Sequence, residues 1–72
     1  MKTVPTRKII KALAKLGFLK VRQKGSHVMM RHPDGRMTVV PVHRGEDIGP
    51  GLLIEIIKDT KLSKTEFFEL LK

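Results

Sequence analysis

The residues of this chain best suited to chemistry form the segment Lys24-Gly25-Ser26-His27, in which a histidine follows a glycine turn. The residues after the turn alternate in character, as in a β-strand with one buried face. On that pattern His27 should point away from the side that carries Val28 and Met30. An imidazole exchanges a proton near neutral pH, and cations nearby would hold a phosphate. The segment therefore indicates chemistry on a nucleic-acid backbone.

Cleavage of RNA without a metal ion needs a base for the 2′-hydroxyl, an acid for the leaving 5′-oxygen and positive charge near the phosphate. A histidine can serve as either the base or the acid, and cationic side chains can stabilise the transition state. His27 is therefore the candidate catalytic residue, and the alternative is a solvent-facing histidine with no role. The candidate RNA contacts surround it in sequence: Lys20, Arg22, Lys24, Gly25, Ser26, Arg31 and Arg44.

The other two histidines have weaker claims. His43 follows Pro41-Val42 and is a candidate for a second proton-transfer group or an RNA contact, or it only fixes the end of a strand. His32 shares a side with Val28 and Met30, which favours a structural role at the edge of the core. The carboxylates are scattered and cysteine is absent, so neither a metal site nor a cofactor is expected.

Composition limits the partners. The 72 residues predict a single domain, 1–72, and the formal charge of +8 favours a polyanion, above all nucleic acid, over an acidic protein. No apolar run is long enough for a membrane span, and the absence of cysteine fits a cytoplasmic protein. With only three aromatic residues, recognition of the RNA backbone and shape is favoured over base stacking.

The hydrophobic pattern predicts an α+β fold, with an antiparallel three-stranded sheet and helices on one face. Thr6 should cap a helix over 7–16, followed by strands over 18–23, 26–32 and 36–42, a loop over 43–51 and a helix over 50–59. Ser63-Lys64-Thr65-Glu66 is a capping box that starts a last helix. In this fold Leu19, Val21, Val28 and Met30 should face the helices, and Lys20, Arg22, His27 and Arg31 should lie on the open face.

Several motifs in this order resemble the HicA family of small toxins from type II toxin–antitoxin pairs. They are Leu16-Gly17-Phe18, Lys24-Gly25-Ser26-His27, Pro33-Asp34-Gly35, Val40-Pro41-Val42-His43, Gly51-Leu52-Leu53 and Ile56-Ile57-Lys58-Asp59. The resemblance implies a fold like that of double-stranded-RNA-binding domains and metal-independent cleavage of mRNA, with His27 as the catalytic histidine. It also implies a HicB-like antitoxin that covers the open sheet face. The family's usual Gly-Thr at the start of the second helix is Gly51-Leu52 here.

Three functions follow from the sequence. The main hypothesis is an endoribonuclease toxin that cuts mRNA without metal or cofactor. The second is an RNA-binding module without catalysis, and the third is a basic domain that docks an acidic protein.

Overall fold

The computed structural model describes residues 3–42 and 47–72. It has the predicted α+β class, with three helices packed on a three-stranded antiparallel sheet. In chain order the elements are β1 (Val4–Pro5), α1 (Thr6–Leu16), β2 (Leu19–Lys24), β3 (His27–Arg31), β4 (Met37–Pro41), β5 (Asp47–Ile48), α2 (Pro50–Thr60) and α3 (Lys64–Leu71).

Helix α1 forms where the apolar residues recur at helical spacing. Its buried side chains include Ile9, Ala12 and Leu13, which form one stripe against the core. The helix begins one residue earlier than predicted, because Pro5 is the N-cap residue and Thr6 is already helical. It ends at Gly17, whose φ of 114° is accessible to glycine and whose N–H donates to carbonyls of the last turn.

The capping box predicted for α3 is present in both directions. The Glu66 N–H donates to Ser63 Oγ at 3.1 Å, and the Ser63 N–H donates to Glu66 Oε1 at 3.0 Å. The bond from the Ser63 N–H holds the pKa of the Glu66 carboxyl below its usual value. This local pattern fixes the start of α3 and brings Phe67 into the core, where it is fully buried.

The sheet has the strand order β2-β3-β4, so β3 is its central strand. Val28 and Met30 of β3 and Val40 of β4 are buried beneath the helices, as their alternation requires. The core joins these strands to α1, α2 and α3, and its members are Ile9, Ala12, Leu13, Phe18, Val28, Met30, Val40, Ile48, Leu53, Ile56, Ile57 and Phe67.

Strand β2 departs from the prediction. A bulge lies between Lys20 and Arg22, so Val21 is the extra residue of β2 against β3. Leu19 and Val21 were expected to face the helices, but their side chains are 64% and 54% exposed, so that expectation is wrong. Lys20 was expected on the open face, but it pairs with the buried Met30 and therefore lies on the helix side of the strand.

A second correction concerns the segment after β4. Residues 43–51 were predicted as a loop, but Asp47–Ile48 forms β5, which pairs antiparallel with β1. Ile48 is buried and Val4 packs against the core, so this small sheet attaches the start of the chain to the entry of α2. Within the described residues, no helix has the length and apolar character needed to cross a membrane.

Candidate nucleic-acid interface

A tight hairpin between β2 and β3 positions the candidate catalytic residue. Lys24 and His27 are paired across the sheet, so the loop between them consists of Gly25 and Ser26 alone. Gly25 has φ of 59° and Ser26 has no positive φ, which is the pattern of a type II′ turn with glycine at its first central position. The Gln23 side-chain amide donates to the Gly25 carbonyl at 3.2 Å. A stiff turn therefore fixes where β3 begins.

The end of β4 pairs with the start of β3, on the side of β3 opposite β2. Pro41 pairs with His27 but has no N–H to donate to the ladder. The N–H of the next residue, Val42, donates instead to the Ser26 carbonyl. The backbone on both sides of His27 is thus fixed, while its side chain stays exposed.

An open cleft of about 580 Å³ lies beside the hairpin. We name it the hairpin cleft, and its lining residues are Arg22, Lys24, Gly25, Ser26, His27, Met29 and Val39. Five of the predicted site residues meet here, because Arg22, Lys24, Gly25 and Ser26 line the cleft together with His27. The cleft lies on the sheet face opposite the helices.

The regular register of the hairpin brings both cations to the cleft. Arg22 pairs with Met29 and Lys24 pairs with His27, so these cations share the face of the histidine. No carboxylate of residues 3–42 or 47–72 lines the cleft. Among the described residues, neither cation is in an ion pair, because the three pairs found involve other side chains. The positive charge around His27 is therefore available to an anionic ligand.

His27 itself makes no hydrogen bond or ion pair with any residue that the structure describes. Its ring is exposed at the start of β3, between the pairing partners Lys24 and Pro41. An imidazole in this position can give or take a proton at a ligand in the cleft. The predicted orientation of His27, away from Val28 and Met30, is confirmed.

Two further predicted contacts lie away from the hairpin cleft. Arg31 is on the open face, but it stands four residues along the strand from His27, at about 13 Å for a rise of about 3.3 Å per residue. It lines a separate shallow cleft with Leu19, Val21 and the turn after β3. Lys20 lies on the helix side of β2, as described above. Neither side chain shares the cleft of His27.

The predictions for His43 and Arg44 fall outside the described residues.

His32 has the structural position that the sequence predicts. The Asp34 N–H donates to its Nδ1 at 3.1 Å, so Nε2 carries the hydrogen and donates to the Leu16 carbonyl at 3.2 Å. The ring also meets Phe18 edge-on, with ring centroids 5.4 Å apart. His32 thus connects the end of α1 to the turn after β3.

The turn after β3 carries its own charge pair. The Arg36 N–H donates to Asp34 Oδ1 at 3.0 Å, and Arg36 Nε donates to Asp34 Oδ2 at 2.8 Å. These bonds, the one from the backbone N–H first, hold the pKa of the Asp34 carboxyl below its usual value. This aspartate is committed to the turn and does not offset the charge at the hairpin cleft.

The sequence pattern gave no functional role to the apolar part of the open face. Met29 and Val39 are paired across the sheet and form the floor of the hairpin cleft. Leu19, Val21 and Met37 are exposed farther along the same face. The alternation of β3 places Met29 on the face of His27, and that of β4 could have identified Met37 and Val39, but the bulge that exposes Val21 has no signal in the sequence.

Residues 6–62 match the family described as the HicA toxin of bacterial toxin–antitoxin, which is more than half of the chain. The chain belongs to the HicA toxin family. The match includes α1, the three-stranded sheet with its hairpin cleft, and α2. As a HicA toxin, the protein pairs with an antitoxin. No curated protein matches the chain.

Proposed function

We propose that this HicA toxin is a metal-independent endoribonuclease that cuts mRNA at the hairpin cleft, with His27 as a catalytic residue. One observation carries the proposal: within the described residues, an exposed histidine without a partner shares a cleft with two unpaired cations and no carboxylate. The family match supports a toxin, and the geometry supplies a reason for its action on RNA.

In the proposed reaction, a base removes the proton of a ribose 2′-hydroxyl and the oxygen attacks the adjacent phosphorus. The bond to the 5′-oxygen breaks, that oxygen receives a proton from an acid, and a 2′,3′-cyclic phosphate remains. His27 is one of the two proton-transfer groups. Arg22 and Lys24 stabilise the charge that builds on the phosphate oxygens. His43 is the candidate for the second proton-transfer group.

The turn would contribute to binding through its backbone. Gly25 has no side chain, and no atom of the part of the chain that the structure describes lies within 4 Å of the position where one would begin. A phosphate can therefore approach the backbone of the hairpin, with Ser26 beside it. Cations in the cleft make this binding dependent on salt, because each phosphate contact releases counterions.

We also propose that the antitoxin is HicB-like and covers the open sheet face. The exposed apolar residues beside the cationic cleft would give such a partner an apolar patch next to positive charge. Covering this face would close the hairpin cleft to RNA. Neutralisation would then need no change in the fold of the toxin.

The reaction is tested with matched oligonucleotides in EDTA. An RNA, the same sequence in DNA and a DNA carrying one ribose are incubated with the protein, and products are resolved by mass. We expect cleavage of the RNA and of the chimera 3′ to the ribose, with a cyclic phosphate at the new end. Equal cutting of DNA contradicts the mechanism, and tight binding with uncut RNA supports the binding module instead.

The role of the cleft cations is tested by a pair of matched variants. Lys24→Gln removes a charge from the hairpin cleft, and Lys20→Gln removes the same charge from the other side of β2. We expect the first variant to weaken RNA binding and flatten its salt dependence more than the second. Equal effects of the two variants would assign binding to overall charge and not to the cleft.

A further inference from the structure

The floor of the hairpin cleft differs in chemistry from its rim. Met29 and Val39 are adjacent across β3 and β4, and both side chains line the cleft. Val39 is 40% exposed although it is apolar. Arg22 lies beside Met29, and Lys24 and His27 border this floor toward the hairpin turn, so polar atoms adjoin it. A phosphate would contact only the two cations and the histidine, which form the rim of the cleft. The apolar floor therefore indicates that the ligand has a second, apolar part.

We infer that the floor of the hairpin cleft holds an unpaired RNA base next to the phosphate bound at the rim. The inference rests on the proposed function, since it assigns the substrate class of the same cleft. A nucleotide combines an anionic phosphate with a flat, largely apolar base face, which matches the rim and the floor. Methionine also makes favourable contacts between its sulfur and an aromatic ring.

The size of the cleft agrees with this ligand. Its volume of about 580 Å³ lies within the range of about 300 to 1,000 Å³ that small-ligand sites occupy, so it can take one nucleotide. In a duplex the base faces are covered by their stacked neighbours and cannot reach Met29 or Val39. The substrate is therefore a single-stranded segment, although the fold class implied by the family is one that binds double-stranded RNA.

The test measures RNA binding in a His27→Ala background, where the proposed function predicts that the RNA stays intact. Fluorescence anisotropy compares a labelled strand, the same strand annealed to its complement, and a strand of equal length with abasic riboses. We expect the unpaired strand to bind about tenfold more tightly than the other two, as expected when contact with one base is lost. Equal or tighter binding of the duplex overturns the inference.

Variants of the floor supply the second part of the test. Met29→Ala combined with Val39→Ala should weaken binding of the unpaired strand about tenfold and leave the abasic strand unaffected. Val39→Thr keeps the shape of the side chain and should show part of the effect. Thermal melting checks that each variant is folded.

The control for the floor removes two exposed apolar side chains elsewhere on the open face. Leu19→Ala combined with Met37→Ala changes exposed residues that do not line the hairpin cleft, so RNA affinity should stay the same. An equal loss of RNA affinity in this control overturns the inference. A floor variant that keeps its RNA affinity and loses only its binding to the antitoxin also overturns it. RNA that is cut in the His27→Ala background contradicts the proposed function, while the affinities still decide the inference.

Discussion

His27 and His32 stand at the two ends of β3, and their surroundings are opposite. The His27 ring is exposed beside two cations and has no partner among the described residues. The His32 ring is held by the Leu16 carbonyl, the Asp34 N–H and the edge of Phe18. One imidazole is free to exchange its proton with a ligand, and the other already uses both nitrogens within the fold.

This difference shows why the residue type alone does not identify a catalytic histidine. Both rings follow or precede a turn that contains glycine, and both lie near basic residues in the sequence. Their surroundings differ because the two rings lie on different sides of the strand. Substitutions at the two ends should therefore affect different measurements, activity at one end and stability at the other.

The largest effect is expected from His27→Ala. Loss of a proton-transfer group should reduce RNA cleavage by about 10² to 10⁴-fold, because general acid–base catalysis contributes on that order. The thermal midpoint should stay the same, since the ring makes no contact that the described fold uses. Single-turnover cleavage and thermal melting measure the two quantities, and induced expression should no longer arrest growth.

Retained toxicity in the folded His27→Ala variant would remove this residue from the catalytic role. His27→Gln serves as the matched control, because it keeps a polar side chain of similar size but cannot transfer a proton near neutral pH. It should be as inactive as the alanine variant.

The reverse outcome is expected for His32→Ala. The substitution removes the hydrogen bond to Leu16 and the ring contact with Phe18, and the free energy of unfolding should fall by about 2 kcal/mol. Cleavage per folded molecule should remain near the wild-type rate at temperatures well below the midpoint. Urea unfolding gives the stability, and a loss of activity without a loss of stability would break the distinction between the two histidines.

The parts of this molecule that were predictable from sequence are those fixed by local chemistry. Ser63 and Glu66 satisfy each other's backbone groups, and Gly17 and Gly35 adopt the positive φ that their turns require. The burial of Val28 and the exposure of His27 follow from the regular alternation of the central strand. Each of these features depends on residues within a few positions of one another.

The features that were not predictable depend on pairing across the sheet or between distant segments. An unbroken alternation would place Leu19 and Val21 on one face of β2 and Arg22 on the other. The bulge puts all three on the open face, and only the register with β3 reveals it. The pairing of Val4 with Ile48 joins two distant segments and likewise has no local signal.

Gly17 offers a smaller and sharper test of the contacts at the His32 end of β3. A methyl group on this residue would lie 2.8 Å from His32 Nε2, and its φ of 114° is unfavourable for alanine. Gly17→Ala should therefore destabilise the fold by about 1–2 kcal/mol. In a His32→Ala background the steric part disappears and only the backbone strain remains, so the cost should be lower.

A double-mutant cycle on these two residues measures their interaction. We expect a coupling of at least about 0.5 kcal/mol from urea unfolding of the wild type, both single variants and the double variant. Additive effects would show that the His32 ring does not restrict Gly17. The hairpin cleft is remote from this contact, so RNA cleavage by the folded variants should be unchanged.

The smallest effect concerns the response to acid of the turn after β3, at the His32 end of the strand. The pKa of Asp34 is lowered in the folded protein, chiefly by the bond from the Arg36 N–H, so the folded state favours the charged carboxylate. This contribution is present above the unfolded pKa of about 3.9 and is lost as the pH falls through the lower folded value. The thermal midpoint should therefore decrease on acidification from pH 5 to pH 3.

Asp34→Asn isolates the response to acid, because its amide oxygen can still accept from the Arg36 N–H and has no proton to gain in this range, while the bond from Arg36 Nε is lost at every pH. The other carboxyl groups, including the capping Glu66, are the same in both proteins, so the wild type should lose slightly more of its thermal midpoint than the variant. Parallel curves would mean that the charge of Asp34 adds nothing to the turn. The position of His32 would then depend on its bonds to Leu16 and to the backbone of residue 34, and on its ring contact with Phe18.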